Sequence, residues 1–482
     1  MSLPDAVHSA DSADATPAPT AIPATPAPTA VDTVAAVRAG TTTAVAETRA
    51  ALARITALDP ALGAFQVVRA ERALAEAATV DARIAAGEHL PLAGVPIAIK
   101  DNIPVAGEPM REGSAATSAE PRPADHEVVA RLRAAGAVVV GITRVPELCV
   151  FGTTDSVYGT TRNPFNPERT SGGSSGGSAS AVASGMVAVA HAADGMGSIR
   201  IPAANCGLFG LKPGSGLVPA NMGAHSWFGM SENGPLATTV ADAALVLSVM
   251  AGHPKLANVT TPAGPLRIGL ATGIPTPLAK LDPVWKAAAE SAAATLRAAG
   301  HDVVELTIPY PSDPLPVLAR WFAGAADDAA HEGLDVRLLE PRVRAHIRAG
   351  RLLARLGGLR PGPVDRLRAR VEAATADVDV IVTPGLAQPG PAAEGWHRRS
   401  WVANLRANIG YAPYAAVWNL LGWPAAVVPA GWHDGAQVPL SVQLVAHPAA
   451  DGAGEALLLS IAAQLEAAAP WTRTAVAPAS VG

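Results

Sequence analysis

Three short segments of this 482-residue chain carry side chains that could take part in catalysis. The stretch "TSGGSSGGSASA" (170–181) holds five serines and four glycines, Lys100 ends the apolar run "GVPIAIK", and Ser198 lies in "ADGMGSIR". A serine hydroxyl is a poor nucleophile unless a nearby base removes its proton. The residue types therefore indicate serine chemistry as one hypothesis, which the surrounding sequence has to support.

Lys100 is one of five lysines in a chain that has thirty-one arginines. At the end of an apolar strand its amine would be partly desolvated, which lowers the pKa and makes the neutral, proton-accepting form accessible. Arginine keeps its proton, so a need for a base would explain why lysine stands here. The alternative is a surface lysine whose apolar stem lies along the protein while its amine reaches solvent.

The serine- and glycine-rich stretch has three other interpretations. A flexible linker is disfavoured because the stretch lies deep inside the chain and leads directly into helical and strand patterns. A phosphate-binding loop requires a preceding strand with a Walker lysine or a GxGxxG spacing, and the sequence has neither. The segment "GGSSG" (172–176) matches the G-x-S-x-G nucleophile elbow, but Pro164 and Pro167 occupy the approach where that motif requires a strand.

Ser198 follows a predicted strand and three turn-like positions. The backbone N–H groups of Gly195, Met196, Gly197 and Ser198 could converge there on an oxyanion. Considered alone, Ser198 is more often an ordinary turn serine.

Taken together, "KDN" at Lys100, "GGSSGG" and "DGMGSIRIPA" form a specific constellation. It resembles the amidase signature family, and the likeness extends through "RNPFNP", "GLFGLKP" and "GWPAAVVPAG" to cover most of residues 31–475. The resemblance implies an α/β fold with a single domain, whose large mixed sheet of about eleven strands is flanked by helices. It also implies a triad in which Ser198 is the nucleophile, Ser174, usually after a cis peptide, is the bridging serine, and Lys100 is the base.

The resemblance assigns further supporting roles and exposes some departures. Gly173 and Ser175 would support the bridging serine, and Asp194 and Arg200 would form an ion pair that holds the nucleophile loop, with a plain surface pair as the alternative. Where relatives have glycine, threonine and glycine before the nucleophile, this chain has Ala192, Ala193 and Met196. Met196 cannot take a positive φ as freely as glycine, so it raises the question of whether the oxyanion loop keeps its shape. His191 is interpreted as structural.

The function that follows is hydrolysis of a carboxamide through an acyl-enzyme on Ser198, with release of ammonia or an amine. Three alternatives stay open: acyl transfer or ester cleavage by the same acyl-enzyme, the A subunit of a tRNA-dependent amidotransferase, and a catalytically degenerate member of the family. No cofactor and no metal is expected, since no histidines stand at metal-ligand spacing. The predicted partner is a small-molecule amide, and the substrate-binding candidates are Met110, Trp227, Phe228, Tyr414 and Trp418.

Composition limits the remaining possibilities. The net charge of −5 argues against a nucleic-acid or anionic-membrane surface, and no segment reaches the length of a membrane span. Two cysteines without a CxxC spacing and the lack of a signal-peptide pattern favour a cytoplasmic protein. A homodimer is a further possibility. We expect a disordered Ala/Pro/Thr-rich tail over residues 1–30, one catalytic domain over 31–475 with a variable insertion or cap at about 311–400, and a tail over 476–482.

The elements that must position these residues alternate between short apolar runs and longer helical patterns. This alternation predicts one large, mostly parallel sheet with helices packed around it. Predicted strands cover 94–100, 137–142, 186–192, 266–271, 302–308, 379–384, 425–430 and 441–446, and predicted helices cover 125–135, 239–251, 282–299, 316–355 and 453–466.

Overall fold

A computed structural model describes residues 27–475, and its centre is a sheet of eleven strands. The strand order is β1-β3-β2-β6-β8-β7-β12-β13-β11-β9-β10, with a separate two-stranded hairpin formed by β4 and β5. The strands are β1 (Phe65–Val68), β2 (Pro96–Lys100), β3 (Val138–Thr143), β4 (Asp155–Ser156), β5 (Gly159–Thr160), β6 (Val189–Asp194), β7 (Phe209–Lys212), β8 (Glu232–Ala237), β9 (Arg267–Leu270), β10 (Asp302–Glu305), β11 (Val380–Pro384), β12 (Ala425–His433) and β13 (Val438–Ala446).

Helices pack on the sheet and over one end of it. They are α1 (Ala30–Arg38), α2 (Ala44–Leu62), α3 (Ala70–Ala85), α4 (Glu127–Ala134), α5 (Gly176–Ala183), α6 (Arg200–Asn205), the single turn α7 (Ser226–Gly229), α8 (Val240–Ala251), α9 (Pro283–Ala298), α10 (Leu315–His331), α11 (Pro341–Arg355), α12 (Gly362–Thr375), α13 (Trp401–Tyr411), α14 (Ala416–Leu421) and α15 (Ala453–Ala468). In the part of the chain that the structure describes, no helix combines the length and apolar character needed to cross a membrane.

The mixed, eleven-stranded sheet confirms the fold that the family resemblance implies, but the expectation of a mostly parallel sheet is wrong. Within the described sheet, four neighbouring pairs are parallel and six are antiparallel. The antiparallel pairs include β7 and β8, which the sequence pattern missed. Their segments "FGLK" and "ENGPLA" contain glycine or proline, which are depleted in strands and hide the strand pattern.

The predicted helix over 316–355 is two helices. α10 ends at His331 and α11 begins at Pro341, and Gly333 between them has a φ of 62°, in the left-handed region that favours glycine. Helices α10–α12 build a second apolar core with residues such as Trp321 and Val343, separate from the core around the sheet. β11 lies inside the range predicted for the insertion but belongs to the central sheet.

The predicted tails fall largely outside the described residues. Residues 1–26 and 476–482 lie outside them, so the prediction of disorder there stays a prediction. Thr29 belongs to the ordered domain, because its side chain accepts a hydrogen bond from the Asp32 N–H and caps α1.

Candidate active site

Lys100 is the last residue of β2, in the interior of the sheet, and only 1% of its surface is exposed. Its Nζ lies 2.8 Å from Ser174 Oγ and 3.0 Å from the carbonyl oxygen of Ala193. Burial lowers the pKa of the amine, although the nearby Cys149 and Asp194 act in the opposite direction. Lys100 is therefore a buried amine in contact with a serine, and not a surface lysine.

The serine- and glycine-rich stretch is a loop that leads into α5. The Gly173–Ser174 peptide bond is cis, as the resemblance implies. The Ser175 N–H donates to the carbonyl oxygen of Ser198 at 3.3 Å, and its hydroxyl donates to that of Ala193 at 3.2 Å. A side chain at Gly173 would come within 2.9 Å of the Gly152 backbone, so this position has room only for glycine. These contacts fix the loop against β6 and against the turn that carries Ser198.

Ser198 lies four residues after the end of β6 and is only half-buried. The structure differs from the predicted oxyanion site at Gly197, whose N–H donates to Asp194 Oδ1 at 2.6 Å and is already engaged. Among the described residues, the N–H groups of Gly195, Met196 and Ser198 have no hydrogen-bond partner. Three of the four predicted amides are thus available for a developing negative charge.

The methionine in this turn stands where the backbone tolerates it. Met196 has no positive φ, whereas Gly197 has a φ of 116°, and a side chain there would come within 2.7 Å of Ala415. The position whose positive φ favours glycine therefore has it. Met196 directs its side chain into a neighbouring apolar cavity, so its bulk bears on the space for a ligand.

Asp194 and Arg200 form a buried ion pair with an Nε–Oδ2 distance of 2.9 Å, both side chains being at most 1% exposed. Burial alone would raise the pKa of the Asp194 carboxyl, but the Arg200 guanidinium outweighs it and lowers that pKa below its usual range. Arg200 also donates to Asn419 Oδ1 at 2.6 Å and to Gln443 Oε1 at 2.7 Å. The pair therefore ties the nucleophile turn to α14 and β13 and is not a surface pair.

His191 has a structural environment. Its Nδ1 accepts the backbone N–H of Lys100 at 3.3 Å and its Nε2 lies 2.9 Å from Asn233 Oδ1. Burial lowers the pKa of the ring to about 3, so it stays neutral. The ring supports the backbone of the lysine and does not line either of the cavities that contain Ser198.

Two cavities meet at Ser198. The first, here called the apolar cavity, has a volume of about 640 Å³ and is lined by Gly173, Met196 and Ser198 together with apolar side chains such as Phe151, Tyr310 and Leu318. The second, here called the polar cavity, has a volume of about 30 Å³. Its lining includes Lys100, Asn102, Glu112, Cys149, Ser174, Ser198, Met222, Trp227, Ser231 and Asp328.

Of the five predicted substrate-binding residues, only Trp227 lines these cavities, and it lines both. Tyr414 and Trp418 are fully buried, because this segment directs Ala416 and Val417 towards the apolar cavity instead. Met110 is buried away from both cavities, and Phe228 is 36% exposed and stacks on His225. The structure therefore places these four residues outside the lining of both cavities.

The sequence analysis missed three residues that face the site. Cys149 and Glu112 line the polar cavity, and Tyr310 lines the apolar one. Tyr310 lies in "PYPSDP" (309–314), where the prolines mark an irregular loop. Glu112 has a φ of 46°, which is unusual for glutamate, but no sequence signal identifies such a position.

With this geometry in place, comparison with known proteins identifies the class. The sequence model of the family described as Amidase matches residues 46–453, and the chain belongs to the amidase signature family, a family of amide hydrolases.

More particularly, the chain is similar to the protein of Mycobacterium tuberculosis named "Putative amidase AmiB2", with 46% identity over 90% of this chain and 94% of the relative. It is also 36% identical to the A subunit of the glutamyl-tRNA(Gln) amidotransferase of a Synechococcus species, over 88% of this chain and 93% of that protein. Among solved structures, 6-aminohexanoate cyclic dimer hydrolase with its substrate matches with a TM-score of 0.80 and 27% identity, covering 92% of this chain and 97% of that one.

Proposed function

We propose that this protein hydrolyses a carboxamide through an acyl-enzyme on Ser198, with Ser174 as the bridging serine and Lys100 as the base. The observation that carries the proposal is the contact of 2.8 Å between Lys100 Nζ and Ser174 Oγ, inside a cavity that Ser198 shares. Because burial lowers the pKa of the Lys100 amine, this group can lose its proton and accept one from a serine. An arginine guanidinium would keep its proton and could not act as a base.

The reaction has two stages. In the first, Lys100 takes the proton of Ser174 while Ser174 takes that of Ser198, and Ser198 Oγ bonds to the amide carbon. The relay then returns this proton to the amide nitrogen, the C–N bond breaks, and ammonia or an amine leaves. In the second, water attacks the ester, the relay accepts one of its protons, and this proton restores the Ser198 hydroxyl as the carboxylic acid departs.

The amides of Gly195, Met196 and Ser198 would stabilise the negative oxygen of each tetrahedral intermediate. Preorganised amides of this kind are worth about 10²–10³ in rate for each donor. The Asp194–Arg200 pair supports them indirectly, since Asp194 holds the turn through the Gly197 N–H.

A fluorophosphonate probe tests the proposal, because it bonds covalently only to an activated serine. We expect labelling at Ser198 in the wild-type protein and none in Ser198→Ala. Ser231→Ala is the matched control, since Ser231 also lines the polar cavity, and it should keep the label. Labelling that persists in Ser198→Ala would contradict the proposal.

Two alternatives predict different outcomes in the same preparation. For a component of a tRNA-dependent amidotransferase, release of ammonia would depend on an added partner complex, whereas we expect release from simple amides by the isolated chain. For an acyl-transfer enzyme, an added amine or alcohol would divert the acyl group more efficiently than water does.

A further inference from the structure

The two cavities at Ser198 differ in which catalytic side chains they contain. Lys100 and Ser174 line the polar cavity, and neither lines the apolar one. In the proposed reaction, the proton from Ser198 has to reach the amide nitrogen through Ser174. The nitrogen of a bound substrate must therefore face the polar cavity, and its acyl group must extend into the apolar cavity.

The polar cavity is too small for most leaving groups. A cavity needs about 10–15 Å³ to hold one water molecule, so a cavity of about 30 Å³ has room for an NH₂ group or ammonia and for at most one further small group. An aromatic or long alkyl amine does not fit without displacing side chains. The apolar cavity, at about 640 Å³, lies within the range of about 300–1,000 Å³ typical of ligand pockets and accepts a bulky acyl group.

The polar cavity also presents acceptors that suit an NH₂ group. Asn102 Oδ1 is buried and has no hydrogen-bond partner among the described residues, and its Nδ2 lies 3.2 Å from Met222 Sδ. The carboxyl group of Glu112 lines the same cavity and likewise has no hydrogen bond to residues 27–475. Burial raises the pKa of this carboxyl, and its neutral form still offers a carbonyl oxygen as an acceptor. An unpaired buried acceptor is costly, so Asn102 Oδ1 is placed for a donor that the protein does not supply, and the half-buried Glu112 carboxyl offers a second acceptor in the same cavity.

Asp328 lines the same cavity but is already engaged. Its Oδ2 accepts the Trp227 Nε1–H at 2.6 Å and its Oδ1 accepts the Ala224 N–H at 3.3 Å. It therefore holds Trp227 between the two cavities. Asp194, which also lines the polar cavity, is paired with Arg200, so Glu112 and Asn102 are the carboxyl and amide side chains left there for a ligand.

We infer that the polar cavity is the leaving-group compartment, that it restricts substrates to primary carboxamides of bulky apolar acids, and that Asn102 and Glu112 accept the two N–H bonds of the substrate NH₂ group. This inference rests on the proposed function and narrows it. The C–N bond breaks as the relay proton joins the nitrogen, so the departing species is NH₃, still held by these two oxygens.

Three amides of 4-phenylbutanoic acid test the inference on the purified wild-type chain: the primary amide, the N-methylamide and the anilide. We expect kcat/KM for the primary amide to exceed that for the N-methylamide at least 100-fold and that for the anilide by more. Equal rates for the three amides, together with Ser198 labelling, would overturn the inference and leave the proposed function intact. Absence of both labelling and hydrolysis would overturn the proposed function itself.

A pair of methionine substitutions then shows which cavity limits the size of the leaving group. Met222 lines the polar cavity and Met196 lines the apolar one, so Met222→Ala and Met196→Ala remove the same atoms from the lining of one cavity each. Met222→Ala should raise the ratio of N-methylamide to primary-amide kcat/KM at least tenfold, and Met196→Ala should leave that ratio unchanged. The inference is wrong if the ratio responds to Met196→Ala and not to Met222→Ala.

Glu112→Ala tests the acceptor role, with Glu112→Gln as the conservative variant. We expect Glu112→Ala to lower kcat/KM for the primary amide about tenfold and for the N-methylamide less, and Glu112→Gln to recover most of the loss through its amide oxygen. Equal losses on both substrates that Glu112→Gln does not recover would mean that Glu112 is only structural.

Discussion

The two cavities that meet at Ser198 are formed by different kinds of structural element, strands on one side and loops on the other. On the relay side, Lys100 ends β2, an interior strand of the sheet, and hydrogen bonds fix Ser174 to this lysine and Ser175 to β6. On the acyl side, the apolar cavity is lined largely by loops such as 274–278 and 308–314 and by α10. Side chains in loops can change with little effect on the fold, whereas the relay depends on backbone that the sheet holds. The proposed relay therefore lies on the sheet, and the proposed acyl site lies largely on loops.

The largest effect should come from removing the base. Lys100→Ala should lower kcat on the order of 10⁴-fold, the upper range for general acid–base catalysis, because Ser198 then has no relay to take its proton. Steady-state kinetics on a primary amide measures the loss, and circular dichroism checks that the chain is folded.

Lys100→Arg separates a base from a fixed charge, because guanidinium keeps its proton. The arginine variant should be as inactive as Lys100→Ala. Activity in Lys100→Arg close to that of the wild type would show that Lys100 supplies only a positive charge.

In the wild type, protonation of Lys100 removes the base, so the rate should fall as pH is lowered through the pKa of this amine. Because burial lowers that pKa, the midpoint should lie below the usual lysine value of about 10.4.

The next effect is on stability and compares Arg200, at the nucleophile turn, with Arg342, a buried arginine of α11 that lines neither cavity. Arg200→Ala leaves Asp194 buried without its charge partner, and Arg342→Ala does the same to Glu340 at the start of α11. Each should lower the free energy of unfolding by about 3–5 kcal/mol, measured by urea denaturation.

Only Arg200→Ala should also slow probe labelling of Ser198. Arg200 holds Asp194, and Asp194 accepts the Gly197 N–H in the turn that carries Ser198. If Arg200→Ala does not fold, Arg200→Lys keeps the charge with fewer hydrogen bonds and should show the same slowing in milder form. Equal labelling rates in the folded Arg200 and Arg342 variants would mean that the pair has no positioning role.

The smallest effect should come from Met196, which stands between the two regions. Met196→Gly keeps the backbone N–H and removes the side chain from the apolar cavity, so turnover of small amides should stay within about tenfold, or roughly 1.4 kcal/mol of barrier. Acceptance of bulkier acyl chains should broaden. An increase of 100-fold or more on small amides would instead mean that methionine displaces the oxyanion turn in the natural protein.

The sequence identified much of the relay region and little of the acyl region, for a physical reason. Lys100, Ser174 and Ser198 are found because short segments of fixed spacing carry them, and each segment folds locally as a strand end or a tight turn. On the acyl side, Tyr414 and Trp418 are expected from the sequence to bind substrate, but the structure buries both outside the cavity lining. The sequence does not distinguish the two environments, since an aromatic side chain gains as much from packing in a core as from lining a cavity.

By itself the sequence determined the family, the α/β class, most of the longer elements and the three side chains of the proposed triad. Only the tertiary structure decided the sheet directions, the burial of the Asp194–Arg200 pair and the meeting of Lys100 with Ser174 across 74 positions. It alone placed Glu112 and Asn102 beside the relay. Local patterns record which face of an element is apolar, but a cavity is formed by segments distant in sequence, and its shape depends on how the whole chain packs.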